Sequence, residues 1–128
     1  MNLNLNIIIF YVQNVDKLKA FYVDTLKLEV VEEIQGEWIV LKAGACNIGL
    51  HKMGAEYLEK DQEEFQFESN TKLVFEIDAD INQIRADLIN KKVFMKEIKT
   101  FDNYPYWLCD GKDPEGNVFQ LKQKKNKE

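Results

Sequence analysis

The sequence is poor in the residues from which metal sites, disulfide frameworks and membrane anchors are built. Its 128 residues include one histidine and two cysteines. Cys46 and Cys109 are far apart and have no Cys-x-x-Cys spacing, so they predict neither a disulfide framework nor a zinc site. No apolar run approaches the roughly 20 residues that cross a bilayer. Residues 1–6 lack a basic segment and a small-residue cleavage site, so we expect no signal peptide and a cytoplasmic protein with reduced cysteines.

The composition is that of an ordinary folded domain. The length suits one domain, 1–128, with a sizeable core. The apolar fraction of 45% and the charged fraction of 30% are typical of a soluble globular protein. The net charge of −5 argues against a phosphate-binding surface, and therefore against nucleic acid as a partner. It is compatible with cationic or neutral small ligands, and nothing in the sequence predicts a membrane partner.

The first half of the chain alternates between strand and helix patterns. Residues 7–12 are β-branched or aromatic, which predicts a strand. Asn14 is a suitable N-cap, and apolar residues then recur near helical spacing as far as Leu26. Turn residues separate the segments that come next. We expect further strands at 28–34, 38–41 and 46–51.

The second half repeats this order. Residues 73–77 have a strand pattern, and Asp80 is suited to cap a helix, with Gln83 three residues later in a capping-box arrangement. Each half therefore reads βαβββ. A unit so small buries a helix face and a sheet face poorly when alone, so we expect the two halves to form one domain. The later strands are expected at 93–98, 104–110 and 118–122.

The repeat sets the expected boundaries: module one at 5–51, a linker at 52–71 and module two at 72–122. The linker is rich in acidic residues. Connections of this length are often linkers or lids. It is therefore either a solvated linker or a loop that covers a ligand site. Its aromatic residues are Tyr57, Phe65 and Phe67.

A tight turn near the C-terminus is the most specific local pattern. In the stretch Asp113-Pro114-Glu115-Gly116-Asn117, the proline presets φ and the glycine accepts a positive φ. With this turn the sequence resembles the glyoxalase/bleomycin-resistance/dioxygenase superfamily, also called the vicinal oxygen chelate proteins, over nearly its whole length. The other residues that carry the resemblance are Tyr11, Val12, Asn14, Phe21, Tyr22, Leu26, Leu28, Phe75 and Asp80.

The resemblance implies an α+β fold of two βαβββ modules, whose curled mixed sheets enclose a cavity with the helices outside. It also implies which side chains face the cavity, because residues alternate between the two faces of a strand. The residues expected to pack on a helix are Ile8, Phe10, Val12, Leu73, Phe75 and Ile77. Those expected to face the cavity are Ile7, Ile9, Tyr11, Lys72, Val74 and Glu76.

The resemblance also gives the positions where metal-dependent members of the family hold their ion. These positions fall at Ile7, Gly49, Lys72 and Gln120. Ile7 and Gly49 have no side-chain donor atom, and the charge of Lys72 repels a cation. Gln120 alone is a weak ligand, whereas metal sites need about three or four good ones. We therefore expect no metal and no cofactor.

An apolar, aromatic cavity with a few polar groups is typical of a small-molecule site. His51, the only histidine, and Glu76 are also candidate catalytic bases, although neither has a partner visible in the sequence. Val40 is a further candidate for the cavity wall. The candidate ligand-binding residues are Ile7, Ile9, Tyr11, Trp38, His51, Lys72, Val74, Glu76, Tyr106 and Gln120.

The predicted function is metal-independent binding or sequestration of a small, partly apolar molecule. The resemblance is greatest to the bleomycin-resistance-like members, which bind drugs as dimers, so we expect a homodimer and binding rather than catalysis. Two alternatives remain open, because a fold does not fix a function. One is a glyoxalase-like lyase or isomerase, or a dioxygenase-type enzyme, with a non-standard site. The other is a regulatory module that binds a protein partner.

Overall fold

The computed structural model describes residues 1–2, 4–54 and 71–126. Most of the predicted linker, including its three aromatic residues, lies outside this part of the chain. The chain divides into two compact units, Met1–Phe65 and Gln66–Glu128, and each contains one of the predicted modules. In the described residues, no helix is both long enough and apolar enough to span a membrane.

Module one has the predicted βαβββ order. Its elements are β1 (Ile7–Val12), α1 (Val15–Lys19), β2 (Glu29–Ile34), β3 (Trp38–Lys42) and β4 (Asn47–Lys52). The strands form a four-stranded sheet in the order β1-β4-β3-β2. β1 runs parallel to β4, and the other neighbours are antiparallel, so the sheet is mixed, as predicted.

Helix α1 begins at the predicted cap but does not continue as an α-helix. The Asn14 side chain accepts a hydrogen bond from the Lys17 backbone N–H at 3.0 Å, which satisfies a donor that the helix itself leaves free. From Ala20–Thr25 the chain forms a π-helix, in which N–H groups donate to the carbonyl five residues earlier. The helical stretch expected as far as Leu26 is therefore present, and its second half is π-helical. The wider turn buries the neighbours Phe21 and Tyr22 together, with their rings edge to face at 4.9 Å.

The core of module one lies on the face of the sheet that α1 covers. Burying one aliphatic side chain in this core is worth roughly 1.5–3 kcal/mol relative to leaving it exposed. The opposite face, which we call the open face of module one, exposes Ile9 and Tyr11, as the predicted alternation of β1 requires. Ile8 is less covered than expected, at 36% exposure. The buried aliphatic residues include Val12, Val15, Leu18, Ile39, Leu41, Ile48 and Leu50.

Module two has the same order of elements. They are β5 (Lys72–Ile77), α2 (Ile81–Asn90), β6 (Phe94–Met95), β7 (Tyr106–Lys112) and β8 (Val118–Lys124). The sheet order is β5-β8-β7-β6, with β5 parallel to β8 and the other pairs antiparallel. The α+β class and the two βαβββ modules are therefore confirmed. The enclosed cavity stays a prediction.

Two local predictions in module two were wrong. The strand expected at 93–98 is only the two-residue β6, after which Lys99 makes an isolated bridge with Leu108. The capping box at Asp80 is also absent. Its carboxylate accepts from the backbone N–H of Asn82 at 2.9 Å, while the Gln83 side chain donates to Asp87 one turn further on, at 2.9 Å. Asp87 lies four residues after Gln83 on the helix surface, so the Gln83 side chain bonds to it instead of to the backbone N–H of Asp80.

The turn between β7 and β8 is confirmed and is closely hydrogen-bonded. Gly116 has a φ of 87°, and its N–H donates to the Asp113 carbonyl at 2.9 Å. The Asp113 side chain accepts from the backbone N–H groups of Glu115 and Asn117, each at 2.9 Å, and from the Asn117 amide at 2.9 Å. Asp113, Glu115 and Asn117 are all buried. The turn fixes the register that places Asp110 opposite Gln120.

Candidate functional site

The open face of module one brings together the five ligand-binding residues predicted for that module. Its strand register places Ile9 beside Gly49, and His51 between Tyr11 on β1 and Trp38 on β3. These residues share the face opposite α1 because they alternate with the buried core positions. The predicted wall residue Val40 lies there too, paired with Gly49, but is almost fully buried. The face carries Ile7, Ile9, Tyr11, Trp38, Val40, Gly49 and His51.

At Gly49 the indole ring of Trp38 occupies the space that a side chain would need. A Cβ atom at Gly49 would lie 2.7 Å from Cη2 and 3.1 Å from Cζ3 of Trp38, and 3.2 Å from Cγ2 of Ile7. Real Cβ atoms do not approach other heavy atoms as closely as the first of these distances. At Gly49, a position where the resemblance implies a metal ligand, the space is therefore taken by an aromatic ring and by the side chain of Ile7.

The same indole is held by polar and aromatic neighbours. Its Nε1–H donates to the Glu32 carboxylate at 2.9 Å. The His51 ring lies 5.6 Å from the Trp38 ring and 5.2 Å from the Tyr11 ring, measured between centroids. The His51 Nδ1 lies 2.7 Å from the Lys52 carbonyl oxygen, so Nδ1 carries the proton and donates it. We call Tyr11, Trp38 and His51 the aromatic cluster.

In module two, a separate polar cluster is centred on Asp110, which the sequence analysis did not single out. The Lys72 ammonium donates to Asp110 Oδ2 at 2.8 Å, and the Gln120 amide donates to Oδ1 at 2.9 Å. The Lys99 ammonium lies 3.9 Å from the same Oδ2. The Asp110 side chain is only 9% exposed. We call Asp110, Lys72, Lys99 and Gln120 the Asp110 cluster.

The environment of Asp110 favours its ionised form. Burial alone raises the pKa of the carboxyl group, and this is the largest single effect. The hydrogen bonds from Lys72 and Gln120, with the charges of Lys72 and Lys99, together outweigh it and lower the pKa below its ordinary value. Asp110 is therefore a carboxylate at neutral pH, and it anchors the two ammonium groups.

Asp110→Asn is expected to reduce the free energy of unfolding at pH 7 by about 1–3 kcal/mol, because it removes charge-assisted hydrogen bonds at a buried side chain. A lowered folded-state pKa means that the stabilisation is complete above the unfolded-state pKa of about 3.9. It is lost as the pH falls through the folded-state value. Denaturant titrations across this range should show the two proteins converging at acidic pH.

The matched control for this prediction is Asp102→Asn, because Asp102 is an exposed acidic residue of the same module. Its stability should follow that of the wild type at every pH. A constant difference between Asp110→Asn and the wild type down to strongly acidic pH would contradict the assigned role of Asp110.

The two metal-ligand positions of module two are also ill-suited to a divalent ion. Lys72 is a cation engaged with Asp110, and Gln120 presents its amide N–H to the same carboxylate rather than an oxygen. Ile7 and Gly49 offer no donor atom. Among the described residues, no group of three or more His, Cys, Asp and Glu side chains is placed to hold a metal. The residues present do not fit the family's metal.

The remaining predicted residues lie on the open face of module two, which we define as the face of its sheet that carries Gln120. Val74 pairs with Gln120, and Glu76 pairs with Lys122, which shares that face. The Lys122 ammonium lies 4.1 Å from the centre of the Tyr106 ring. Val74 and Glu76 are exposed. Among the described residues, the Glu76 side chain has no hydrogen-bond or ion-pair partner.

Sequence reasoning missed Asp110, Lys99 and Glu32. Asp110 could have been predicted, since a hairpin closed by the 113–117 turn places it directly across from Gln120. Glu32 was not, because an irregularity in the pairing of β2 between Val30 and Glu32 changes which residues share a face. Lys99 lies just after the segment 93–98, where a longer strand was expected than the two-residue β6 that forms.

Comparison with known proteins supports the fold. No model of a known protein family matches the sequence, and no curated protein matches it significantly. A lactoylglutathione lyase from Agrobacterium tumefaciens is 17% identical with a TM-score of 0.71, over 96% of this chain and 95% of that one. TnmS3, an antibiotic-binding protein from Streptomyces sp. CB03234, is 20% identical with a TM-score of 0.69, over 96% and 97%. The fosfomycin resistance protein FosX from Listeria monocytogenes is 14% identical with a TM-score of 0.69, over 96% and 93%.

These matches extend over almost all of both chains, and they agree with the order of elements in each module. At such low identities the likeness concerns the fold and not the activity. The fold that the turn at 113–117 and the strand and helix patterns predicted is therefore confirmed. The chain has the fold of the glyoxalase/bleomycin-resistance/dioxygenase superfamily.

Proposed function

We propose that the protein binds or sequesters a small, partly apolar molecule without the help of a metal ion. The observation that carries the proposal is the packing of the Trp38 indole against Gly49. It places an aromatic surface at a position where the resemblance implies a metal ligand. An aromatic surface binds planar or apolar groups by contact and needs no cation to do so.

The exposed residues of the two open faces support binding of this kind. Ile9, Tyr11 and Val74 are 45%, 59% and 52% exposed. Exposed apolar side chains are unfavourable in water, and patches such as that of Ile9 and Tyr11 on β1 commonly mark binding surfaces. Each open face also has a polar group that could orient a ligand: His51 beside Tyr11 in module one, and Gln120 beside Val74 in module two.

Binding is favoured over catalysis because the candidate bases lack partners. Within the described part of the chain, the carboxylate of Glu76 has no hydrogen-bond partner, and the His51 ring bonds to a backbone carbonyl rather than to a carboxylate. A catalytic base is usually oriented by a third group. Among proteins of similar fold, TnmS3 is an antibiotic-binding protein and FosX a fosfomycin resistance protein. An antibiotic, or a molecule of similar size and polarity, is therefore our proposed ligand.

The intrinsic fluorescence of Trp38 provides a direct test. The chain has two tryptophans, and Trp107→Phe leaves Trp38 as the only one. Trp107 lies on the helix side of the module two sheet, where Lys125 covers its ring at 4.8 Å. We expect members of a chemically broad library of antibiotics and metabolites to change the Trp38 emission saturably.

The matched control is Trp38→Phe, which retains Trp107 as the reporter. Its emission should not respond to the same compounds, and its unfolding curve shows whether the variant is folded. The proposed function is contradicted if no compound changes the Trp38 emission, or if the responses come from Trp107 alone.

We also propose that the protein is a homodimer. Strand β2 lies at an edge of its sheet and is exposed along its whole length, including Val31 at 53% and Ile34 at 63%. Exposed apolar edge strands tend to associate. Light scattering on the eluting protein should give twice the chain mass of 15.0 kDa. A monomer at micromolar concentration would refute the dimer without affecting the binding proposal.

A further inference from the structure

The open face of module two is positively charged although the whole chain is acidic. Strand register places four lysines and two acidic residues on this face, and Lys99 joins them through its contact with Asp110. Positive groups therefore outnumber negative ones there, in a chain whose net charge is −5. A local field of this kind attracts anions regardless of the overall charge. The residues are Lys72, Lys112, Lys122 and Lys124, with Glu76 and Asp110.

The strongest positive point is the Asp110 cluster. Lys72 and Lys99 lie 2.8 Å and 3.9 Å from one oxygen of a single carboxylate. One carboxylate balances one ammonium group, and no other described carboxylate pairs with either lysine. Both lysine side chains are close to half exposed, at 42% and 46%, so their remaining N–H groups are accessible to a ligand. An oxyanion can bridge the two ammonium groups without displacing Asp110.

Aromatic rings continue from the cluster across the same module. Lys122 sits over Tyr106 at 4.1 Å from the ring centre. The Tyr106 ring lies 5.5 Å from that of Tyr104, which lies 6.3 Å from that of Phe101. Phe101 is 58% exposed. The rings give an aryl group a surface to stack on, because offset and edge-to-face contacts are favourable at such distances.

A cleft of ≈ 470 Å³ lies beside the cluster. This volume falls within the range of roughly 300–1,000 Å³ that small-molecule sites occupy. The cleft adjoins both a charged member of the cluster, Lys99, and the buried carboxylate that holds it. Its lining residues are Met95, Lys96, Glu97, Lys99 and Asp110.

We propose that the open face of module two binds an organic anion with an aryl or other apolar body, whose carboxylate or similar oxyanion binds Lys72 and Lys99. The inference rests on the proposed function and narrows its ligand class. It differs from the expectation from net charge, which is compatible with cationic or neutral ligands and argues against a phosphate-binding surface. Net charge averages over the chain, whereas the ligand responds to the side chains of one face.

Matched probes that differ only in charge test this proposal: phenylbutanoate, phenylbutylamine and phenylbutanol. Binding to the full-length protein is measured by ligand-observed NMR titration. We expect the carboxylate to bind at least about tenfold more tightly than the amine, with the alcohol between them. Added salt should weaken binding of the carboxylate and leave that of the alcohol unchanged.

Lys99→Met identifies the lysine involved, because methionine keeps most of the side-chain length without the charge. It should weaken binding of the carboxylate by about threefold to tenfold and leave that of the alcohol unchanged. Lys99→Arg should preserve binding. The control is Lys91→Met, at the exposed end of α2, which should change neither probe.

Equal binding of the three probes would overturn the anion proposal and leave the proposed function standing. The anion proposal is also overturned if Lys99→Met does not alter binding of the carboxylate. Failure of all three probes to bind overturns it as well. If, in addition, no compound changes the Trp38 emission, the proposed function falls with it.

Discussion

Asp113→Ala is expected to destabilise the protein by about 3–5 kcal/mol, because it leaves three buried donors without their acceptor. Asp113 is 4% exposed, and its carboxylate accepts from the N–H groups of Glu115 and Asn117 and from the Asn117 amide. Alanine satisfies none of these groups, and water does not reach them easily. The loss is a large part of the stability of roughly 5–15 kcal/mol that is typical of a domain.

The same substitution should weaken the site, because the turn sets the pairing of β7 with β8. That pairing places Asp110 opposite Gln120 and allows the hydrogen bond between them. Urea denaturation followed by circular dichroism gives the change in stability. Asp102→Ala, in an exposed loop, is the control, and it should change stability by no more than about 0.5 kcal/mol. An equally small change in Asp113→Ala would show that the turn does not depend on its carboxylate.

Gly49→Ala is expected to destabilise the protein by about 1–3 kcal/mol, the usual cost of forcing extra volume into a packed region. A Gly→Ala substitution within a strand usually stabilises a protein, so the expected effect at Gly49 has the opposite sign. The reason is steric: the new methyl group would lie 2.7 Å from the Trp38 ring. The ring must move, and the aromatic cluster moves with it.

A double-mutant cycle isolates this contact. In a Trp38→Leu background the ring is gone, so Gly49→Ala should cost little or should stabilise. The free energy of unfolding of the four proteins then gives a coupling energy of about 1 kcal/mol or more between the two positions. If Gly49→Ala costs the same in both backgrounds, the indole is not what excludes a side chain at this position.

Much of the fold could be predicted from the sequence because its signals are local. The β-branched run at β1, the Asn14 cap and the 113–117 turn each specify the structure of their own segment, and all three are present. The misses have a different origin. The π-helical turns after α1 and the two-residue length of β6 depend on packing with distant residues. The Gln83 side chain had two possible partners of similar merit, and spacing alone did not choose between them.

The candidate site was predictable in part for the same reason. Alternation along the strands correctly grouped Ile9, Tyr11 and His51 on one face of module one. It did not reveal that the Trp38 ring lies over Gly49, since that depends on a side-chain rotamer. Asp110 was not predicted because it is not one of the family's metal positions. The presence of Lys72 at one of those positions did indicate that a counter-ion must lie nearby. Composition does not reveal the positive face of module two, because the net charge averages over the whole chain.

We propose above that this protein binds its ligand without a metal ion. The most direct measurement is the metal content of the protein, purified without chelator and analysed by inductively coupled plasma mass spectrometry. The residues at Ile7, Gly49, Lys72 and Gln120 predict that zinc, nickel, manganese and iron are each far below one per chain. Any one of these metals at one per chain, retained after dialysis, would contradict the claim.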